Sequence, residues 1–380
     1  MNRARAISLA GLVVWGIGMF VDAEHAMLAY LVAYGAVLFT VLGALFFVLV
    51  HHAVDAGWST GVRRWAEQML TALPLLALLA LPLVVGAPKV YHWAAHDNSK
   101  AEWLNLPFFT ARLALYFTLW ILIARYFRNG SLRQDANGDP AISMRMRKWS
   151  APALVVYGLS VNFAAMDLLM TPDYHWFSTI FGVYIWSQGT LAFFAVMALL
   201  TFTKSLAPPV TGAVRRSIGL WLFAFTCFWG YQALSQWLLI WYANIPEETY
   251  WLLIRWEGAW RWLAVLAVSG LFLIPFLALM PEESKTKPVL RRVAWIILVG
   301  HVLNLMWIVL PTGGHPAAFE AGDFDAGLLW IDVGAVALLG GAAAYMAQHA
   351  LLSASLYPTR DPRLAEAMPA TDLPATEGEH

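Results

Sequence analysis

The residues that stand out first are ionisable side chains inside long apolar runs, and the densest group is Arg255, Glu257 and Arg261 after Trp251. An ionisable group near the centre of a bilayer costs about 2.5–3.5 kcal/mol on insertion scales, so it is expected to be paired or functional. If one helix starts at Trp251, Arg261 lies about 15 Å along its axis, near mid-membrane. Glu257 and Arg261 then share a helical face, which predicts either an ion pair within the helix or a pair that faces a wet cavity. In the second case the pair would carry protons or meet a quinone headgroup.

Other polar groups are spread through the remaining apolar runs. They are Tyr231, Gln232, Ser235 and Gln236 in one run, Asn162 and Asp167 in another, His301 and Asn304 in a third, and Asp332 near the start of the last. Such groups join helices by hydrogen bonds or line a proton path. His301 is either a proton relay or a buried, hydrogen-bonded histidine, and Asp332 is either a loop anchor or a path entrance. The predicted proton path or buried polar network consists of Asp167, Tyr231, Gln236, Arg255, Glu257, Arg261, His301 and Asp332.

The sequence contains no motif for a tightly bound cofactor. Cys227 is the single cysteine, whereas an iron–sulfur cluster needs about four thiolates. There is no Cys-x-x-Cys-His motif for covalent haem, and there is no P-loop or Gly-x-Gly-x-x-Gly motif for nucleotides. Haem b would need two histidines at matching depth on facing helices, and His301 alone lies near the centre of a predicted helix. We therefore predict no catalytic residue, no metal site and no covalent cofactor in this chain.

The composition excludes an ordinary soluble protein. Apolar residues make up 60% of the 380 residues and charged residues 13%, against about 45–50% and about 25% in soluble domains. The formal net charge is zero, so the chain lacks the basic surface that nucleic acid requires.

Ten segments are apolar enough to span a bilayer, which takes about 20 residues in a helix. They run over 7–21, 27–51, 69–87, 107–127, 150–170, 176–203, 214–242, 251–279, 291–311 and 327–353. Pro74 and Pro82 predict a kinked third helix that its neighbours must support. We expect an all-α integral membrane protein of two four-helix bundles plus two flanking helices. Residues 1–355 would form this domain, and residues 356–380, rich in proline and charge, a disordered cytoplasmic tail.

Lysine and arginine fall on alternate connections between the predicted spans. The richest connection carries Arg125, Arg128, Arg133, Arg145, Arg147 and Lys148, whereas the opposite connections hold only Lys89 and Lys100 and are otherwise acidic or aromatic. By the positive-inside rule, both termini are cytoplasmic. The first segment would instead be a secretory signal if Val21-Asp22-Ala23 were a cleavage site.

The hairpin after the seventh segment resembles a known family. Ser235-Gln236 is followed by Ile240-Trp-Tyr-Ala-Asn-Ile-Pro-Glu-Glu248, which resembles the F subunit of alternative complex III, a bacterial quinol:cytochrome c oxidoreductase. That family is similar to the NrfD-like membrane subunit of polysulfide reductase, and the ten-helix layout extends the resemblance over nearly the whole chain. The resemblance implies the bacterial inner membrane and a cofactor-free subunit that supports quinol oxidation and conducts protons.

The resemblance also implies partners. These are a paralogous NrfD-like C subunit, a multihaem cytochrome c, iron–sulfur subunits and a terminal oxidase, in addition to membrane lipid. Haem c and the iron–sulfur clusters belong to those partners, and quinol is implied for the complex, with the C subunit as its better-supported site. Two other functions stay open: an NrfD-like subunit that itself oxidises menaquinol, and a secondary transporter with its site on broken helices near mid-membrane.

The turn Asn244-Ile-Pro246-Glu247-Glu248 has two interpretations. Pro246 stops the seventh helix, so the carboxylates of Glu247 and Glu248 would face the periplasm and dock a partner together with Asn244. Alternatively, Asn244 and Pro246 are cap and early-turn residues of the next helix, where acidic side chains are favoured.

Overall fold

The chain folds into packed α-helices, and the structure, a computed structural model, describes residues 3–95, 100–203, 210–286, 288–313 and 324–368. No β-strand occurs in these ranges. Nine helices within them are long and apolar enough to cross a membrane. The predicted all-α class is confirmed, and the chain is a multi-pass membrane protein.

The helices of the first half of the chain are α1 (Arg3–Val21), α2 (Ala23–Ala53), α3 (Thr60–Met69), α4 (Leu73–Leu78), α5 (Leu81–Val85), α6 (Ala87–Val90), α7 (His92–Ala95), α8 (Leu106–Asn137) and α9 (Pro140–Ala165). Those of the second half are α10 (Phe181–Leu200), α11 (Gly212–Ala243), α12 (Pro246–Ile254), α13 (Trp260–Val268), α14 (Ile274–Leu279), α15 (Pro288–Val309), α16 (Leu329–Leu352) and α17 (Leu364–Ala367). A π-helical turn, Met166–Met170, continues α9, and a second one, Ser269–Leu273, joins α13 to α14.

The long helices pack as two rings of four. In the first bundle α2, the α3–α5 series, α8 and α9 each contact the next, and α9 closes the ring on α2. In the second bundle α10, α11, α13–α14 and α15 close in the same way. The central helix α2 also packs against α10 and α15 and is buried along most of its length. With α1 and α16 at the side, this confirms two four-helix bundles plus two flanking helices.

The flanking helices α1 and α16 approach each other closely through glycines. A Cβ atom added at Gly11 would overlap the backbone nitrogen of Leu338, and one added at Gly341 would lie 2.7 Å from the nitrogen of Ser8. Gly18 meets Ile331 at the other end of the contact, so the two helices are antiparallel. The start of α1 and the end of α16 therefore lie at the same end of the molecule.

The third predicted span is a series of short helices held by α2. The chain turns at Leu79–Ala80 between α4 and α5, near Pro82, which lacks the N–H of a continuous helix. Tyr30 Oη donates to the carbonyl of Leu79 at 2.7 Å, and Tyr34 Oη donates to that of Leu76 at 2.9 Å. The prediction of a kinked span supported by its neighbours is confirmed, and the kink goes as far as a series of short helices.

Two predicted spans differ from the structure. The seventh is a helix of 32 residues, α11, but tryptophan, tyrosine and glutamine lower its hydropathy and it is not among the nine. The eighth is broken, because α12 ends at Ile254 and α13 begins at Trp260, with Gly258 at φ +51° between them. A left-handed residue interrupts an α-helix. Arg261 therefore lies in the first turn of α13, and the prediction of a continuous helix from Trp251 through Arg261 is wrong.

The predicted disordered tail is wrong for residues 356–368, and residues 369–380 lie outside the described part of the chain. Asp361 is buried and lies 2.6 Å from Arg63 Nη2. Leu364 and Met368 pack with Tyr357, and α17 contacts α3. The charges that made this segment look disordered meet opposite charges far away in the sequence, a pairing that local composition does not reveal.

Candidate functional site

Asp167 is a buried carboxylate in the π-helical turn after α9, with 2% of its surface exposed. The turn disturbs the helical hydrogen bonds, and side chains replace them. Thr171 Oγ1 donates to the carbonyl of Asp167 at 2.6 Å, and Tyr91 Oη donates to that of Leu168 at 3.3 Å. Turns of this kind are frequent at functional sites, and here the turn holds Asp167 at the side of the first bundle that faces α8.

Two residues of α8 bind the carboxylate. Arg112 Nε donates to Asp167 Oδ2 at 2.8 Å and Arg112 Nη2 donates to Oδ1 at 2.9 Å. Tyr116, one turn further along the same face, donates from Oη to Oδ2 at 2.9 Å. Two-pronged arginine–carboxylate pairs are the strong, geometrically specific kind. We call Arg112, Tyr116 and Asp167 the Asp167 site.

A cavity of about 460 Å³ adjoins the Asp167 site, and Asp167 forms part of its wall. Aromatic rings of Trp103, Phe163, Trp176 and Phe177 line it as well. Asp167 Oδ1 accepts one hydrogen bond among the described residues, so it keeps the capacity to accept another. The cavity lies at the end of the first bundle where α8 begins, between the connections that contain Lys100 and Tyr174.

Arg255 stands behind one wall of this cavity. Trp176 stacks on Trp251 with ring centres 4.2 Å apart, and the Arg255 guanidinium carbon lies 3.8 Å from the Trp251 ring centre. Its Nη1 and Nη2 donate to the carbonyls of Trp251 and Ile308 at 3.0 and 2.8 Å. Burial lowers the pKa of Arg255, which lies between α12 and α13, to about 9, and the Asp173 carboxylate opposes that shift. Arg255 is thus a buried cation sheltered by carbonyls and an aromatic face.

His301 belongs to a separate network between the two bundles. Its Nδ1 lies 2.8 Å from Gln188 Nε2, and its Nε2 lies 3.1 Å from the carbonyl of Ala36. Asn304 Nδ2 donates to Gln188 Oε1 at 2.7 Å, and Tyr184 Oη donates to Asn304 Oδ1 at 2.9 Å. Both imidazole nitrogens have partners, so His301 is a buried, hydrogen-bonded histidine, one of its two predicted forms. Within the described residues, no hydrogen bond links this network to the Asp167 site.

Three predicted network residues are exposed instead. Glu257 lies in the break between α12 and α13, Arg261 lies in the first turn of α13, and Tyr231 is 62% exposed on α11. The intrahelical pair of Glu257 and Arg261 is wrong because the break removes the continuous helix, and no ion pair joins them in the described structure. These residues do not belong to a buried network, and their role in a proton path stays a prediction.

The other predicted polar residues are buried but scattered. Gln236 lies on the buried face of α11, and its Oε1 has no hydrogen-bond partner in the described protein. Asp332, in the first turn of α16, lies 3.0 Å from His25 Nε2 on α2. The Asp332–His25 pair ties a flanking helix to the central one, and the roles of loop anchor and path entrance both stay predictions.

The turn at residues 244–248 serves both helices that it connects. Asn244 ends α11 with a left-handed φ of +50° and donates from its backbone nitrogen to the carbonyl of Ile240 at 3.1 Å. The prediction that Asn244 caps the following helix is therefore wrong, because Ile245 holds that position. Pro246, Glu247 and Glu248 lie in the first turn of α12, as the capping interpretation predicts. Glu247 is exposed, and partner docking by this turn stays a prediction.

Sequence reasoning missed the two residues that complete the Asp167 site. Arg112 is a charged residue a few positions inside the predicted span 107–127, the same signal that singled out Arg261. Tyr116 follows it by one helical turn and gave no signal of its own. Arg63 and Arg64 fall between the predicted spans 27–51 and 69–87, where the positive-inside pattern predicts a cytoplasmic connection, but both are buried in α3.

No protein-family model and no curated protein matches the chain. The resemblance carried by residues 235–248 therefore stays an expectation. In the described residues, no three His, Cys, Asp or Glu side chains form a group that would hold a metal ion.

Proposed function

We propose that the chain is a membrane subunit of a bacterial quinol:cytochrome c oxidoreductase of the alternative complex III type. In this complex it supports quinol oxidation by accepting protons at the Asp167 site. The observation that carries the proposal is the Arg112–Asp167–Tyr116 group in the wall of an aromatic cavity. Quinol oxidation releases protons together with electrons, and a carboxylate at a cavity wall is suited to receive them.

Arg112 has contacts of its own besides the Asp167 carboxylate. Arg112 Nη1 donates to the carbonyl of Trp103 at 2.9 Å, and its guanidinium carbon lies 4.4 and 4.5 Å from the ring centres of Trp103 and Phe108. These contacts do not depend on a negative charge at Asp167. A cation over aromatic faces has favourable interactions there, so these groups support the guanidinium in addition to the carboxylate.

Direct quinol binding is a second candidate function, and the cavity favours it. Ligand pockets have volumes of about 300–1,000 Å³ and mostly apolar walls with a few polar groups. The cavity of about 460 Å³ beside Asp167 meets this description. A quinol hydroxyl would donate to Asp167 Oδ1 while its ring stacks on an aromatic wall. The chain would then be the NrfD-like subunit that itself oxidises menaquinol.

Electron transfer in this proposal belongs to partner subunits. The sequence has one cysteine and no covalent haem motif, and the resemblance implies a multihaem cytochrome c, iron–sulfur subunits, a paralogous C subunit and a terminal oxidase. The alternating lysine and arginine pattern supports an inner-membrane orientation with both termini cytoplasmic. The cavity and the exposed Glu247 would then face the periplasm, where the electron acceptor of such a complex resides.

The decisive experiment is Asp167→Asn in the purified complex. We expect quinol:cytochrome c turnover to fall about 100-fold or more, the usual effect of losing a positioned proton acceptor, with unchanged subunit composition. Glu24→Gln is the matched control, because Glu24 is an exposed carboxylate in the first turn of α2. Normal turnover in Asp167→Asn would overturn the proposal, as would purification of the chain as a stable monomer that binds a transported substrate.

A change in the cavity wall separates the two candidates. Phe177→Ala removes an aromatic wall residue that makes no hydrogen bond to Asp167. If quinol binds in the cavity, this variant raises KM for quinol and lowers the quinone that copurifies with the complex. If the site handles protons only, KM stays unchanged in Phe177→Ala, while Asp167→Asn lowers kcat.

A further inference from the structure

A second buried polar region lies where α2 ends and α3 begins, which we call the inner end. All ten residues of α3 are buried, although the helix contains Arg63, Arg64, Glu67 and Gln68. Charged residues are almost never fully buried unless they are paired. The inner end must therefore supply partners for this helix.

The partners include the C-terminal segment, residues 355–368. Arg63 Nη2 lies 2.6 Å from Asp361 Oδ2, and Arg63 Nε donates to Glu67 Oε1 at 3.3 Å. Arg64 Nη2 lies 2.5 Å from Asp135 Oδ2 at the end of α8. Asp361 thus adds a carboxylate to a buried charge cluster that also contains Arg63, Arg64, Glu67 and Asp135.

Polar contacts and a small apolar cluster hold the segment in place. The backbone nitrogen of Thr359 donates to Asp135 Oδ1 at 2.9 Å, and Arg360 Nη1 donates to the carbonyl of Ala136 at 2.9 Å. Leu364, Ala367 and Met368 are the buried apolar residues of this contact. Polar contacts of this kind exchange readily with water, and so small an apolar cluster contributes little burial.

The segment covers a cavity of about 200 Å³. His51, His52 and Arg63 line it from the bundle, and Asp361 and Arg363 line it from the segment. At its rim, Asp55 lies 3.1 Å from Arg147 Nη1 and 2.9 Å from Arg363 Nη1. The rim side chains are partly exposed, and exposed ion pairs contribute about 0–1 kcal/mol in general.

Beneath this cover, some polar atoms lack a hydrogen-bond partner in the described part of the chain. They are Nε2 of His52, which is 6% exposed, Nη1 of Arg64, and Oε2 of Glu67, which lies 3.5 Å from Arg64 Nε. A buried polar atom without a hydrogen bond is costly. Contact with water would relieve that cost, so these atoms favour a form in which residues 355–368 move away from the cavity.

We propose that residues 355–368 are a hinged cover that opens to admit water from the inner side to His51, His52 and the polar face of α3. The closed form is the one in which Asp361 pairs with Arg63 and Arg363 pairs with Asp55. Opening breaks these pairs, while the bundle itself stays folded. The proposal is independent of the role of Asp167 and of any partner subunit.

Histidine labelling tests the cover in the full-length protein. Diethyl pyrocarbonate acylates accessible imidazole nitrogens, and peptide mass spectrometry gives a rate for each histidine. We expect the double variant Asp361→Asn/Arg363→Ala to label His52 about tenfold faster or more than the unmodified protein, the change that loss of one charge-assisted hydrogen bond makes to a local opening equilibrium. Arg133→Ala is the matched control, because Arg133 is exposed and bonds only to the carbonyl of Asn129 in the described structure.

Two other histidines make the result unambiguous. His349 is exposed and should label equally in all variants, and His301 is buried in the centre and should stay unreactive unless the protein unfolds. Equal His52 rates in the double variant and the Arg133 control would overturn the proposal. So would His52 labelling in the unmodified protein as fast as that of His349.

Discussion

At the scale of single residues, the Asp167 site shows how a charged pair is kept inside a membrane protein. Two-pronged contact and the Tyr116 hydroxyl satisfy the carboxylate, while Trp103 and Phe108 shelter the cation. The same arrangement explains why Asp167 and Arg112 each have a sequence signal while their pairing has none. Polarity within an apolar run marks a candidate, but the partner lies 55 positions away in the chain. One sequence without contact information does not connect the two.

Removing one member of the pair should destabilise the protein more than removing both charges. We expect Arg112→Met to lower the free energy of unfolding by about 3–5 kcal/mol, because it leaves a buried carboxylate without its cation. Arg112→Met/Asp167→Asn should recover most of that loss, since no unpaired charge remains. Denaturant titration of the protein in detergent, followed by tryptophan fluorescence, measures both values. An equal loss in the single and double variants would mean that Arg112 acts through packing alone.

At the scale of helices, apolar runs give the number and approximate bounds of most spans, and local backbone events decide the rest. Contacts from other helices hold the π-helical turn at Met166–Met170 and the interrupted α3–α5 series. The break at Gly258 depends on a single left-handed backbone angle. Pro82 is a sequence signal for the interruption of the α3–α5 series. Gly258 gave none, because a glycine inside an apolar run is compatible with a continuous helix.

The contact between α1 and α16 should depend on the position of its glycines. Gly11→Leu would drive a side chain into the backbone of α16, whereas Gly16, on the same helix, has nothing within 4 Å of an added Cβ. We expect Gly11→Leu to separate the two helices and Gly16→Leu to leave them packed. Limited proteolysis of the connection between Val21 and Ala23 reports the difference. Equal protease sensitivity in both variants would show that close backbone approach does not hold α1 in place.

At the scale of the whole molecule, two four-helix rings pack together where the central helix α2 contacts α10 and α15, and the polar sites lie in different parts of this arrangement. The Asp167 site lies at one end of the first bundle, the His301 network lies between the bundles, and the covered histidine cavity lies at the inner end. The apolar segments predicted the two-bundle layout, because eight of the ten predicted spans remain when the first and last are set aside as flanking helices. It did not predict the fold of residues 356–368, whose buried partner Arg63 is 298 positions away.

The orientation of the helix bundles in the membrane decides which aqueous side each site faces. The antiparallel contact of α1 and α16 puts the start of α1 and the end of α16 at the same end of the molecule, and the positive-inside pattern predicts that this end is cytoplasmic. In a Cys227→Ser background, Glu24→Cys should react with a membrane-impermeant thiol reagent in right-side-out spheroplasts, whereas Arg133→Cys should react only after lysis. Both positions are exposed in the structure, so accessibility alone does not separate them. The reverse pattern would turn the Asp167 cavity toward the cytoplasm, away from a periplasmic cytochrome, and the proposed oxidoreductase role would then fail together with the orientation.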